Sequence, residues 1–329
     1  MKVLVYSANQ YTRDMLDKAN KGCDHQINYS DAPLTELTAI LAQGYCSVCC
    51  FVDDDINAEV LRQLASFGVQ LIVLRCTGFN NVDIAEAEKN RITVMRVASY
   101  SPYSVAEFTV AMMLTLNRKL HRSYNRVKEG NFLLDGLLGF DMHGKTVGIV
   151  GTGKIGATLA RILSGFQCKL LAYDIVESAH CQQLGVKYVP LKELLQKSNI
   201  VSLHLPLTPD TFHLINSDTL GLMQDSAILI NTSRGALVDT EDLIAVLKQR
   251  RLAGVGLDVY EEESELYYHD LRDQIIDDDN FSRLVSFPNV LVTGHQAFFT
   301  REALEEIADA TIQNINDYEA GHENSNTIT

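Results

Sequence analysis

The sequence predicts an α/β protein with two doubly wound parallel sheets. Three observations predict it. Over the first hundred residues, short apolar runs alternate with helix-like stretches. A second alternating series begins at Lys145 and offers six strand candidates. A glycine-spaced turn then joins the first strand of that second series to an apolar-periodic helix. Strands that alternate with helices are connected by crossovers, and crossovers make parallel neighbours covered on both faces. At 329 residues the chain is long enough for two domains.

In the first series, residues 2–6, 46–52, 71–74 and 92–95 read as strands, and residues 56–67 as a helix. A long helix is expected to start at Ser101-Pro102, since proline suits a first helical turn, and Ser104 with Glu107 has capping-box spacing. Residues 105–116 are apolar almost all round, so this helix should be buried. A basic stretch follows, with Arg118, Lys119, Arg122, Arg126 and Lys128. It reads as a solvated helix end and not as a nucleic-acid patch. The second series places strands at 146–150, 169–173, 200–203, 227–231, 255–259 and 290–293, with helices at 155–164, 191–196 and 240–250. A last helix is expected over 301–318, and the polar tail after Gly321 is expected to fray.

Charge and composition exclude several function classes. Lys and Arg total 28 against 42 Asp and Glu, a formal net charge of −14. That field opposes binding to nucleic acid or an anionic membrane surface. No apolar run reaches the roughly 18 residues that span a bilayer; the best candidate, 105–116, is short and contains Glu107. The N-terminal MKVLVYSANQ enters a strand directly and lacks a signal-peptide pattern, which points to the cytoplasm. The 7 cysteines are an odd, scattered set and read as reduced thiols.

The first chemical motif is TVGIVGTGKIGATLARIL, where Gly151, Gly153 and Gly156 form G-x-G-x-x-G between strand and helix. Gly151 permits the tight turn, Gly153 lets the backbone approach a pyrophosphate, and Gly156 lets helix and strand pack closely. Free amides near Lys154 and Ile155 would bind the phosphates. Asp174 ends the next strand 18 residues after Gly156, where a carboxylate accepts from ribose hydroxyls and repels a 2′-phosphate. The expected cofactor is therefore NAD and not NADP. Three more segments follow strands: INTSRGALVD with Arg234, GLDVYEEE with its glutamates, and LVTGHQA with His295. In a parallel sheet all strand C-terminal ends share one edge, so an arginine, a glutamate and a histidine converge where ligands bind.

The chain resembles the D-isomer-specific 2-hydroxyacid dehydrogenases over essentially its whole length. GTGKIG, HLPLTPDTFHLIN, NTSRGALVD, GLDVYEEE and TGHQAFFT follow that family's motif order. SYSPYSVAEFTVAMML and GNFLLDGLLGFDMHGKTVGIVG bring it nearest to the fermentative branch that reduces pyruvate to D-lactate. The resemblance implies a Rossmann NAD domain over 101–298 and a flavodoxin-like substrate domain from 1–100 with 299–329, the active site lying in the cleft. It implies that Arg234 binds the substrate carboxylate and polarises the carbonyl, a task suited to a planar bidentate donor. His295 is then the general acid/base, and Glu263, alone of the three glutamates, is the carboxylate paired with it. Cofactor contacts are expected from Leu205, Pro206, Thr211, Thr232, Ser233 and Arg234 besides the glycine loop and Asp174, with Asp258 on the nicotinamide side and His204 packed alongside. Substrate contacts are expected from Thr77, Gly78, Tyr100 and Phe298 besides Arg234 and His295; Phe299 is equally an interdomain packing residue. Arg75 reads as either a site residue or a domain-bridging salt link.

No metal is expected. Cys46, Cys49 and Cys50 fall in a strand-like run, where successive side chains alternate faces, and no second Cys/His cluster follows. The acidic run 261–279 lacks calcium-loop spacing and reads as an exposed excursion. The partners expected are a small-molecule substrate and further copies of the chain, as a homodimer or homotetramer. Two alternatives stay open: another 2-keto acid as substrate, and, more remotely, an NAD-sensing corepressor-type binding protein.

Overall fold

The structure is a computed structural model that describes residues 1–263, 266–268 and 270–329. The chain divides into two compact units, Met1–Ser101 with Phe299–Thr329, and Pro102–Phe298.

The first unit contains β1 (Lys2–Val5), α1 (Gln10–Ala19), β2 (Gln26–Tyr29), β3 (Ser47–Cys50), α2 (Ala58–Ser66), β4 (Leu71–Leu74), α3 (Ile84–Lys89) and β5 (Thr93–Arg96). The strands pair in parallel in the order β2-β1-β3-β4-β5. β3 and β4 are buried along their whole length, as continuous apolar strands in a doubly covered sheet should be. One face packs under α2 and α3 through Val48, Ile72, Leu61 and Leu64. The other is closed by the C-terminal helix, Arg301–Ala320, whose Ala308, Ile312 and Ile315 pack on Val3, Val5, Leu71 and Val73. Side-chain caps from Asn9, Asn57, Asp83 and Thr300 start four of these helices, each contributing about 1 kcal/mol.

The second unit contains α4 (Pro102–Arg118), α5 (Leu120–Lys128), β6 (Thr146–Val150), α6 (Lys154–Gly165), β7 (Lys169–Tyr173), α7 (Ala179–Gln183), β8 (Lys187–Tyr188), α8 (Leu191–Lys197), β9 (Ile200–Leu203), α9 (Ser217–Leu222), β10 (Ile228–Asn231), α10 (Thr240–Lys248), β11 (Gly254–Leu257), α11 (Asp279–Ser286) and β12 (Val290–Val292). The parallel order is β12-β11-β10-β9-β6-β7-β8. Strand order therefore reverses between β6 and β9, and the crevice outside a reversal is where such sheets bind ligands. Helix α4 buries Val105, Ala106, Met112, Met113 and Leu116 against this sheet.

Several expectations need correction. Ser104 lies inside α4, which already starts at Pro102, so it is not a cap. The basic stretch is a separate helix, α5, because Lys119 breaks the chain with a left-handed backbone, φ 51°. Two short strands, β2 and β8, were not expected. The tail after Gly321 does not fray: Thr327 bridges Met95 antiparallel, the Ile328 amide donates to Val94 O at 2.9 Å, and the Arg96 amide to Asn326 O at 3.0 Å. Arg75 makes none of the salt links expected of it among the described residues: it is 4% exposed and donates within the first unit to Tyr6 O at 2.6 Å and Ser7 O at 2.9 Å. Cys49 and Cys50 are buried free thiols, and Cys46 is half-buried.

Candidate active site

All strands of the second unit run the same way, so the segments after β6, β9, β10, β11 and β12 share one edge. After β6 the chain turns at Gly151 with φ 97°. A Cβ there would come within 2.5 Å of His204 O, and one at Gly156 within 2.0 Å of Gly151 O. Neither position tolerates a side chain. Gly153 is the opposite case: nothing lies within 4 Å of its missing Cβ, and it is the N-cap of α6. Open space thus adjoins the first turn of α6 at Gly153, at the positive end of a helix, the arrangement that binds a phosphate through the amides near Lys154 and Ile155. The residues present fit a dinucleotide.

Asp174 stands at the end of β7 beside this loop. Its Oδ2 accepts from the Thr152 amide at 2.5 Å and the Thr152 hydroxyl at 3.1 Å, and its Oδ1 from the Val176 amide at 3.2 Å. The Tyr188 hydroxyl donates to Thr152 Oγ1 at 2.7 Å. β8 therefore supplies a brace for the loop that the sequence did not disclose. His204 pairs with Ser202 Oγ through Nε2 at 2.8 Å, while its Nδ1 is buried without a partner among the described residues. Burial alone pushes this imidazole down to about 4, so it is neutral.

Arg234 follows β10. Asn231 shapes its turn, accepting from the Ser233 amide at 3.1 Å and donating to Arg234 O at 2.8 Å. The guanidinium donates to Ser233 O at 2.7 Å and makes no ion pair among the described residues. After β12, His295 adopts a left-handed backbone, φ 48°, and its amide donates to Asp258 O at 2.7 Å. Its Nδ1 donates to Glu263 Oε1 at 2.8 Å, and Glu263 Oε2 accepts from the Tyr260 amide at 2.9 Å. One ring nitrogen is thus fixed by a carboxylate, and Nε2 is left to act. Histidine and glutamate are about one-fifth exposed, at 17% and 22%.

The sequence placed Asp258 beside the nicotinamide, but the structure gives its carboxylate other work. It is fully buried and accepts from Thr293 Oγ1 at 2.5 Å and from the amides of Gln296 at 3.0 Å and Ala297 at 2.8 Å. Asp258 therefore holds the loop that carries His295. Thr232 pairs its hydroxyl with Thr109 at 2.9 Å, Ser233 donates to Leu205 O at 3.1 Å, and Thr211 to Pro206 O at 2.7 Å. These three side chains brace loops of the edge. The Tyr268 hydroxyl, not anticipated, donates to His295 O at 3.2 Å. Phe298 is buried with its ring 6.4 Å from that of His295.

In the first unit, Thr77 and Gly78 follow β4 and are half-buried, as is Tyr100. Thr77 O accepts from Arg96 at 2.8 Å and Gly78 O from Cys76 Sγ at 3.2 Å. Phe299 belongs to this unit, half-exposed, with an edge-on contact to Tyr11 at 4.8 Å. Among the described residues, no cluster of three or more His, Cys, Asp or Glu is arranged to hold a metal ion.

Residues 110–297 match the family model described as D-isomer specific 2-hydroxyacid dehydrogenase, NAD binding domain. D-lactate dehydrogenase of Escherichia coli is 46% identical over 98% of both chains. The solved apo-structure of that enzyme superposes with a TM-score of 0.91 at 45% identity, covering each chain completely. The pyruvate reductase of Chlamydomonas reinhardtii superposes with a TM-score of 0.94 at 43% identity, covering 99% of this chain and 98% of that one. The chain belongs to the D-isomer-specific 2-hydroxyacid dehydrogenase family. It is an NAD-dependent oxidoreductase acting on 2-hydroxy acids.

Proposed function

We propose that this chain reduces pyruvate to D-lactate and so regenerates NAD in fermentation. The observation that carries the reading is the pairing of His295 with Glu263 at the same sheet edge as Arg234, which makes no ion pair among the described residues. Arg234 binds the carboxylate of the keto acid and draws electron density from its carbonyl. His295 Nε2 delivers a proton to the carbonyl oxygen, and Glu263 holds the imidazolium that does so. NADH, when bound, supplies the hydride. Gly151, Gly153, Gly156, Lys154 and Ile155 hold its phosphates, and Asp174 selects its unmodified ribose. Phe298 limits the space beside His295, which favours a methyl group over a longer side chain. Thr77, Gly78 and Tyr100 are proposed to complete the substrate's contacts.

The protein is further proposed to act in the cytoplasm as a homo-oligomer. No helix among the described residues is long and apolar enough to cross a membrane. Helix α5 buries none of its residues, and the segment after it leaves Phe132, Leu134 and Leu138 at 74%, 81% and 87% exposure. So large an apolar surface fits burial against a second copy. The test is NADH oxidation by purified protein with pyruvate, followed by resolution of the lactate enantiomers. Rapid oxidation with D-lactate as product is expected. Faster turnover of a branched or aromatic keto acid would reassign the substrate.

A further inference from the structure

Behind the site, one imidazole draws three loops together. His213 lies in the segment after β9, with Nε2 2.5 Å from Glu261 Oε1 and Nδ1 3.2 Å from Asp239 Oδ2. Phe212 stacks on the ring, with centroids 3.9 Å apart and planes at 19°. The backbone of His213 is left-handed, φ 49°, a conformation that a residue other than glycine keeps only where its surroundings hold it. Both facing groups are carboxylates, which only accept. The Nε2 contact is a hydrogen bond to Glu261, and Nδ1 lies within ion-pair distance of Asp239, so one ring reaches both carboxylates.

The partners are placed next to the chemistry. Asp239 closes the turn that Arg234 opens, and Glu261 lies two residues before Glu263 in the loop after β11. The same loops also meet through their backbones. The His213 amide donates to Ala236 O at 2.9 Å, and the Asp239 amide to Ile215 O at 2.8 Å. Glu261 Oε2 accepts from the Thr240 amide at 3.3 Å. A Cβ on Gly235 would come within 2.1 Å of the Tyr260 carbonyl. The arginine turn is thus pressed directly on the glutamate loop, and the side-chain bridge sits beside that contact.

We propose that His213, Asp239 and Glu261 form a positioning clasp that fixes Glu263, and through it His295, relative to Arg234. The inference rests on the roles proposed above for those three residues. None of the clasp residues is a catalytic residue; each acts through the loop it holds.

The experiment compares wild-type protein with His213→Gln, His213→Arg, Glu261→Gln and the His213→Gln/Glu261→Gln double variant. His213→Gln keeps a donor and loses the ring that reaches both carboxylates. Its kcat for pyruvate reduction should fall about tenfold, as expected when reacting groups are misplaced by a fraction of an ångström. The Kd for NADH should stay within about twofold, because the phosphate loop is untouched. His213→Arg, whose fork can donate to both carboxylates, should recover most of the lost kcat. Glu261→Gln should lose kcat in the same way, and the double variant should lose no more than His213→Gln alone. A folded His213→Gln with wild-type kcat overturns the clasp, and so do losses that multiply in the double variant. If His213→Gln does not fold, recovery of both fold and kcat in His213→Arg supports the clasp; fold without kcat overturns it. Wild-type protein that oxidises NADH with no keto acid overturns the proposed reaction and the clasp together. Wild-type turnover with an unaffected His213→Gln overturns the clasp alone.

Discussion

The two units share an architecture and use it differently. Each is a parallel sheet whose loops gather at the strand C-terminal edge. In the second unit that edge displays charge: Arg234 has no ion pair among the described residues, and His295 and Glu263 keep 17% and 22% of their side chains exposed. In the first unit two charges at the corresponding edge, Asp54 and Arg75, are internal. Asp54 is 1% exposed and accepts from Ser7 Oγ at 2.8 Å, the Leu34 amide at 2.7 Å and the Phe51 amide at 2.6 Å. Arg75, buried and lying 4.6 Å over the Phe51 ring, donates to two carbonyls of the β1 loop. Most of these bonds go to the loops' own backbone. One edge is left reactive, and the other is tied into a scaffold. The lesson is that an ionisable residue at a strand end is available for chemistry where it keeps access to solvent, and becomes scaffold where it is buried against its own loops.

The comparison can be broken at four points. The largest effect is expected for His295→Gln, which removes the proton donor while keeping a polar side chain. Its kcat should drop about 1,000-fold with NADH binding retained, as read by steady-state kinetics and fluorescence titration. Turnover near the wild-type rate would remove His295 from the chemistry. Arg234→Lys comes next, because a single ammonium cannot reproduce the planar fork. A fall of about 100-fold in kcat/KM for pyruvate is expected, and an unchanged value would reassign the carboxylate site.

Asp54→Asn tests the scaffold. The new amide nitrogen would point at a buried N–H, most directly that of Phe51. Stability near pH 4 should fall by about 2 kcal/mol, measured by denaturant unfolding. Burial, and then the charge of Asp53, push the Asp54 carboxyl up to about 6. Between about pH 4 and 6 the folded protein holds a proton that the unfolded chain releases, so this group's stabilisation declines as pH rises. The deficit of Asp54→Asn should therefore shrink toward pH 6.5. A deficit that grows with pH would show that Arg75 outweighs burial. His204 runs the other way across the same window. Its lowered value means that the unfolded chain takes up a proton the folded one refuses, so its contribution declines as pH falls. The smallest effect is expected for Asp174→Ala, a shift of about tenfold in the preference for NADH over NADPH, read from kcat/KM with each cofactor. Because Thr152 and Val176 already occupy part of this carboxylate, no shift would assign it to bracing the glycine loop instead.

Most of the sheet was legible because its central strands are continuous apolar runs bounded by turn residues. The pieces that escaped are those where burial is partial. β2 reads Gln-Ile-Asn-Tyr with no fully buried position, and β8 is only two residues long. Both are edge strands, and neither carries an apolar run to notice. The placement of Arg234, Glu263 and His295 after strands followed from topology alone, since parallel strands bring their C-terminal ends to one edge. What topology does not give is where a side chain turns. Asp258 takes its three donors from residues 35 to 39 positions away, and His213 meets carboxylates 26 and 48 positions away. No local spacing encodes such a pairing. Arg75 misled for the same reason, because its carbonyl partners lie 68 and 69 residues earlier.

The C-terminal helix has a consequence for how the protein is made. It covers the face of the first sheet that presents Val3, Val5, Leu71 and Val73. On the ribosome that face is complete once Ser101 has been added, yet its cover starts only at Arg301. At translation rates of roughly 5–20 residues per second the delay is on the order of 10–40 s. Throughout that interval the nascent chain carries an apolar sheet face covered only in part, by α1, while the intervening unit is free to fold. A chaperone that binds extended apolar surface therefore has a defined window on this chain, and its release would coincide with docking of the helix.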